Sequence, residues 1–79
     1  MEQVCSEKVI KAVGAAVLTR RIQRNVSQED LCKAAAVNKS LLARVEAGLL
    51  DIELTTLRRF AVALDTTVSS LLETAENEL

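Results

Sequence analysis

The sequence has no histidine, tryptophan, tyrosine or proline, and its only phenylalanine is Phe60. Without histidine, the commonest general acid–base group and the Ser-His-Asp triad are both excluded. A structural zinc site needs about four Cys or His ligands, whereas this chain offers only Cys5 and Cys32. Single-stranded nucleic acid is bound on several aromatic rings, which one phenylalanine cannot provide. We therefore expect a protein that is not an enzyme and that holds no metal or cofactor.

Long apolar stretches and secretion signals are also missing. The longest apolar run extends from Ala12 to Leu18, far short of the ~20 residues that a membrane-spanning helix requires. The N-terminus lacks the basic start of a signal peptide, and Arg20 and Arg21 follow the apolar run. These features indicate a cytoplasmic protein with no membrane partner, in which the two cysteines are expected to be reduced thiols.

The composition is typical of a small, folded, helical domain. Apolar residues make up 49% of the chain and charged residues 27%, a balance found in globular rather than disordered proteins. The absence of proline and the presence of only two glycines favour helix over sheet. We expect one domain over residues 1–79, with its core at about 7–73 and a short acidic C-terminal tail.

Charge is unevenly distributed, although the net charge is only −1. All ten lysines and arginines lie between Lys8 and Arg59, while five of the eleven acidic residues lie near the chain ends. Residues 8 to 72 therefore carry an excess of four positive charges. A basic middle between acidic ends is compatible with a nucleic-acid partner, but the excess is too small to establish one.

Capping and stop signals divide the chain into five helices. Polar residues that can cap helix starts are Ser6, Ser27, Asn38 and Thr67. Asn25 and Gly48 are helix stops of the left-handed type, and Asp65-Thr66 interrupts the fourth helix. The first predicted helix follows the Ser6 cap and runs to about residue 24, and the others cover residues 28–35, 39–47, 54–64 and from 68 onward. No segment alternates apolar and polar residues as a half-buried strand would. The fold class predicted is all-α.

Apolar spacing within the helices predicts which residues face the core. The inward positions are Val9, Ile10, Val13 and Val17 in the first helix, Leu31, Cys32 and Ala35 in the second, Leu42 and Val45 in the third, Leu54, Leu57, Phe60, Ala61 and Leu64 in the fourth, and Val68, Leu71 and Leu72 in the fifth. Arg21 lies on the same face of the first helix as Val17.

The second and third predicted helices are joined by a three-residue turn, a geometry in which the second of the two can enter a DNA major groove. The residues in and around them resemble the lambda-repressor/Cro-like helix-turn-helix regulators, or XRE family. The likeness covers about residues 13 to 72 and is carried by Ser27-Gln28-Glu29-Asp30-Leu31, Glu46-Ala47-Gly48 and Ala61-Val62-Ala63-Leu64. It implies a five-helix lambda-repressor-like domain that binds double-stranded DNA, usually as a homodimer, and regulates transcription.

The resemblance also implies which side chains contact DNA: Ser27, Gln28, Asn38, Lys39, Ser40, Leu41, Ala43 and Arg44. Lys39 can donate to guanine, Ser40 can donate or accept, and Arg44 can reach a base or a phosphate. Leu41 departs from the polar or small residue usual in the family, so it contacts either a thymine methyl group or another protein. For each polar residue the alternative is an ordinary solvated position.

Three further expectations come from the resemblance. Arg21 and Glu46 occupy positions where the family has a partly buried ion pair joining the first helix to the third. Ala36 stands where the family has glycine in the turn, so its backbone adopts either a strained angle or a different turn. Val68 and Leu72 are the expected dimer interface, and a dimer would bind a pseudo-palindromic operator.

The loop after Gly48 departs most from the family. It reads Leu49-Leu50-Asp51-Ile52-Glu53, which is apolar and acidic and offers no cation for phosphate. Its apolar residues either form an exposed patch for a protein partner or fold back under the fourth helix. A second function is therefore open: a protein-interaction module on the same fold, such as an antitoxin-like or anti-regulator subunit.

Overall fold

The computed structural model describes residues 6 to 79 as five α-helices, with no strand in that range. The helices are α1 (Ser6–Gln23), α2 (Gln28–Ala35), α3 (Lys39–Glu46), α4 (Leu54–Ala63) and α5 (Val68–Asn77). The all-α, five-helix prediction is confirmed, and each observed boundary lies within one residue of its predicted position where one was given. None of these helices is long and apolar enough to span a membrane.

Side-chain caps start three of the helices as predicted. The Ser27 hydroxyl accepts a hydrogen bond from the Asp30 backbone N–H at 3.0 Å, and Asn38 Oδ1 accepts one from the Leu41 N–H at 2.7 Å. Thr67 does the same for the Ser70 N–H at 3.0 Å. Each cap satisfies a backbone donor that has no partner within its helix.

The connections between helices use left-handed backbone conformations. Asn25 and Gly48 have φ values of 61° and 76°, which agrees with their assignment as helix stops. Asp65, where a helix break was predicted, is also left-handed, with φ 56°. Of the two conformations predicted for Ala36, a strained angle or a different turn, the first is observed, because Ala36 adopts φ 59° and ψ 45°. Its strained backbone still donates a hydrogen bond to the Cys32 carbonyl, which closes the last turn of α2.

The core lies where all five helices meet. Its largest fully buried side chains are Phe60, Leu31, Leu42, Leu64, Leu71, Val17 and Val45. Cys32, Ala35, Leu57 and Ala61 are also buried as predicted. Cys5 lies outside the described residues.

Several predicted core positions are wrong. Leu54 is 67% exposed because it is the first residue of α4 and precedes the packed face of that helix. Leu72 is 39% exposed, since its neighbour Leu71 takes the inward position on α5. In α1, Val9 is exposed while Ile10 and Val13 are only half-buried.

Of the four apolar positions predicted to face the core from α1, only Val17 is buried. The other buried residues of this helix are small: Ala12, Gly14 and Ala16. Small side chains allow α3 and α5 to pack closely against α1. At the other end of the chain, α5 continues to Asn77 and Ala75 is buried. The core therefore extends beyond Glu73, where the sequence-based boundary placed its end.

Candidate nucleic-acid interface

Helices α2 and α3 form a helix-turn-helix in which α3 presents one polar face outward. Leu42 and Val45 are fully buried and fix the inner side of α3. The opposite side carries four exposed residues from the predicted DNA-binding set: Lys39, Ser40, Ala43 and Arg44. The fold thus brings together the side chains that the sequence placed on a recognition helix.

The two cations on this face are free to bind a ligand. Neither Lys39 nor Arg44 forms an ion pair with any residue between 6 and 79. Arg44 Nε makes only a long contact of 3.5 Å with the Ser40 carbonyl, one turn earlier in the same helix. Their charges are available for phosphate oxygens or guanine, which lysine and arginine commonly contact.

Ser27 and Asn38 have structural roles that leave part of their polar groups available. Both use a side-chain oxygen to cap a helix. A hydroxyl can still donate its hydrogen, and the amide group of Asn38 retains its two N–H donors. Each can therefore cap its helix and still donate to DNA.

The predicted ion pair between Arg21 and Glu46 is present. Arg21 Nε lies 2.6 Å from Glu46 Oε2, and Arg21 Nη2 lies 3.2 Å from Oε1. Their side chains are only 15% and 5% exposed. Arg21 Nη1 also donates to the Val26 carbonyl at 2.9 Å, so the pair joins α1 and the α1–α2 loop to the end of α3.

Gln28 belongs to the same network, a contact that was not predicted from the sequence. It is half-buried at the first position of α2, and its Nε2 donates to Glu46 Oε1 at 2.8 Å. The sequence leaves a DNA contact and an ordinary solvated position open for Gln28, and neither includes this bond. No local signal in the sequence reveals this contact, because it joins residues 18 positions apart.

Arg59 has a structural role that the sequence did not predict. Its Nη1 lies 3.4 Å from the Ala35 carbonyl, beside the strained Ala36. A cation at a helix C-terminus satisfies carbonyls that have no partner within the helix and complements the helix dipole. Arg59 therefore helps to hold the turn between α2 and α3.

Leu41 is half-buried against the core rather than fully exposed. Leu50 and Ile52 in the following loop also pack against the core, whereas Leu49 is 74% exposed. Of the predicted patch, only Leu49 projects fully into solvent. The two charged residues of the loop, Asp51 and Glu53, are exposed and acidic. The loop itself therefore supplies no positive charge.

An apolar groove of about 160 Å³ lies between α1, this loop, α4 and α5. It is lined by Val9, Ile10, Val13, Leu50, Asp51, Ile52, Leu54, Leu57 and Leu72. Three of these, Val9, Leu54 and Leu72, are the exposed apolar residues that the sequence analysis had placed in the core. Leu72 therefore remains available as an interface residue, while Val68 is half-buried against the core.

Cys32, the cysteine within the described residues, is a free thiol buried in the core. Burial raises the pKa of the Cys32 thiol above its usual value, with nearby Lys39 lowering it and Glu46 raising it further. The thiol is thus neutral and a poor nucleophile at neutral pH. Within residues 6–79, no cluster of three or more His, Cys, Asp or Glu side chains could hold a metal ion.

These features define a helix-turn-helix protein. A family described as a helix-turn-helix domain matches residues 12–73, and the chain belongs to that family. A comparison with curated proteins finds no significant match.

Solved structures of transcription and controller proteins share the fold. The clp gene regulator ClgR from Corynebacterium glutamicum is similar with a TM-score of 0.85 and 26% identity, over 87% of this chain and 73% of that one. The restriction-modification controller protein C.AhdI from Aeromonas hydrophila has a TM-score of 0.76 and 26% identity, over 78% and 94% of the two chains. The controller protein C.Esp1396I, at 16% identity and a TM-score of 0.81 over 89% and 92%, shows the fold alone. Family and likeness together support a transcriptional regulator.

Proposed function

We propose that this protein binds specific sequences in double-stranded DNA and regulates transcription from them, as a repressor or controller. The observation that carries the proposal is the outer face of α3, where Lys39, Ser40 and Arg44 are exposed on a helix anchored from behind by Leu42 and Val45. An α-helix fits the major groove, where base edges differ for every base pair. The regulator acts in the cytoplasm by occupying its operator.

The exposed side chains divide between positioning and base recognition. Lys39 and Ser40, in the first turn of α3, are placed to reach base edges, because the N-terminal part of a recognition helix enters the groove. Arg44, one turn later, reaches a base or a phosphate. Ala43 is small enough to allow close approach or contact with a thymine methyl group. Ser27 and Asn38 add donors at the two helix starts.

The proposed active form is a homodimer. One chain supplies a single recognition helix, whereas a two-fold dimer places two such helices ~34 Å apart on successive turns of the duplex. The apolar groove supports this state, because Val9, Leu54 and Leu72 expose apolar surface there. We propose that a second copy covers this groove and that Leu72 is central to the contact, with Val68 contributing less.

Selection of duplexes from a random pool tests DNA binding and dimerisation together. The expected result is an enriched sequence with two-fold symmetry and half-sites about one helical turn apart. Leu54→Glu should weaken self-association about tenfold or more, measured by sedimentation, because it places a charge in a buried apolar contact. Val62→Glu is the matched control, since Val62 is 64% exposed and does not line the groove. Enrichment of no sequence, or of sequences without symmetry, contradicts the proposal.

The second candidate function is a protein-interaction module. The exposed Leu49 and the apolar groove favour it, and the acidic loop supplies no phosphate contact. On this alternative the chain binds no duplex even at low salt. A salt titration separates the two functions, because DNA binding weakens steeply as the salt concentration rises. The probe is the selected duplex or, where none is enriched, a duplex pool of mixed sequence.

A further inference from the structure

The carboxylate of Glu46 is surrounded by donors from two other helices. It accepts hydrogen bonds from Arg21 Nε at 2.6 Å, from Arg21 Nη2 at 3.2 Å and from Gln28 Nε2 at 2.8 Å. Its side chain is 5% exposed, so water competes little for these bonds. Glu46 is also the last residue of α3, the proposed recognition helix.

This arrangement fixes the orientation of the Gln28 amide. An ionised carboxylate can only accept hydrogen bonds, so the amide atom that faces it must be the nitrogen. If the amide were flipped, its oxygen would lie about as close to Glu46 Oε1 as the nitrogen does now, and these two acceptor oxygens would repel each other. Gln28 therefore has one N–H committed to Glu46, and it retains one N–H donor and its carbonyl oxygen.

We propose that Glu46 is a positioning residue for DNA binding: it holds the Gln28 amide so that its remaining N–H donates to an acceptor on the DNA. The inference rests on the proposed function and names a residue that does not touch DNA itself. A long amide side chain normally loses rotamer freedom when it binds. At Gln28 that ordering has already occurred in the free protein, which strengthens the contact.

The same carboxylate holds Arg21, so truncating Glu46 would also disturb the fold. Glu46→Asp keeps a negative charge near Arg21, but its side chain is one methylene group shorter, which moves the carboxylate oxygens away from Gln28. Gln28→Leu removes the amide while keeping much of its volume. Thermal melting must show that both variants are folded at the temperature of the binding measurements.

A double-mutant cycle separates positioning from a merely structural role. The probe is the duplex selected by the unmodified protein, titrated with four proteins: parent, Glu46→Asp, Gln28→Leu and the double variant. Each single change should weaken binding about fivefold or more, as expected for loss of one good hydrogen bond. The double variant should bind no more than about twofold more weakly than Gln28→Leu alone, because Glu46 acts through Gln28.

Two results overturn the inference while leaving the proposed function intact. In one, Glu46→Asp weakens binding by the same factor with and without Gln28. In the other, Gln28→Leu binds like the parent. If the parent enriches no duplex at all, the proposed function fails, and this inference fails with it.

A measurement without DNA tests the positioning step by itself. In a ¹H–¹⁵N spectrum of the parent, one of the two Gln28 side-chain protons should lie downfield of its counterpart in the exposed Gln23 and exchange more slowly with water, because it is bonded to Glu46. Both differences from Gln23 should be lost in Glu46→Asp. Gln28 protons in the parent that match those of Gln23 in shift and exchange rate would show that the amide is not held and would overturn the inference.

Discussion

Gly14 in α1 and Val45 in α3 approach so closely that no side chain fits between them. A Cβ atom placed on Gly14 would lie 2.0 Å from the Val45 carbonyl oxygen, far inside van der Waals contact. Val45 is on the buried face of α3. The depth at which α3 sits, and hence the position of its outer face, therefore depends on a glycine in another helix.

Gly14→Ala should destabilise the fold by about 2 kcal/mol or more, because overpacking against a backbone atom forces α1 and α3 apart. The higher helix propensity of alanine recovers at most about 1 kcal/mol of this. Chemical denaturation measures the change. The control is Thr19→Ala, because Thr19 is exposed in the same helix. This substitution should leave the free energy of unfolding unchanged or raise it slightly. Equal stability of Gly14→Ala and the parent would show that the two helices are not in close contact.

Glu46→Ala should cost about 3–5 kcal/mol of unfolding free energy, because it leaves the Arg21 charge largely buried without its partner. The control is Asp65→Asn, which removes the 3.7 Å ion pair between Asp65 and Arg24. The Asp65 side chain is 92% exposed. That loss should be below about 0.5 kcal/mol. Denaturation of Glu46→Ala within about 0.5 kcal/mol of the parent would show that the pair contributes little.

Ala36→Gly should stabilise the protein by about 0.5–1 kcal/mol. Alanine at φ 59° is strained, and glycine removes a strain of about 1–2 kcal/mol at an entropic cost of about 0.4–1 kcal/mol in the unfolded chain. Ala34→Gly, two residues earlier at an exposed helical position, should have the opposite effect and cost about 1 kcal/mol. The prediction fails if both substitutions shift the denaturation midpoint downward.

Cys32 should make stability depend on pH in the alkaline range. Burial raises the pKa of its thiol above the ordinary value of 9.0, so the folded protein holds this proton more tightly than the unfolded chain does. The resulting stabilisation is complete below pH 9 and is lost as the pH rises through the folded pKa. Unfolding free energies from about pH 8 to about pH 10 should fall more steeply for the parent than for Cys32→Ala. Parallel curves would contradict this.

The sequence was most informative about local structure. The caps at Ser27, Asn38 and Thr67 and the stop at Gly48 were predicted because each depends on a side chain or glycine acting on its own neighbourhood. The pairing of Arg21 with Glu46 came from family resemblance, since no local pattern joins residues 25 positions apart.

What the sequence did not reveal depends on how helices pack together. Leu71 and Leu72 are equally apolar, and only the rotation of α5 against the core decides that Leu71 is buried. The Gly14–Val45 approach and the Gln28–Glu46 hydrogen bond likewise depend on the relative position of helices distant in sequence. The apolar groove was missed for the same reason, since its exposed residues had been assigned to the core.

The most direct test of the central claim is the affinity of a Lys39→Ala plus Arg44→Ala variant for the duplex selected by the parent. Loss of two contacts of about 1.4 kcal/mol each should weaken binding about a hundredfold. A variant with Lys8→Ala and Arg58→Ala has the same net charge but alters exposed residues outside α2 and α3, and it should bind within a few-fold of the parent. If the two variants bind equally well, the outer face of α3 does not contact DNA and the account is wrong.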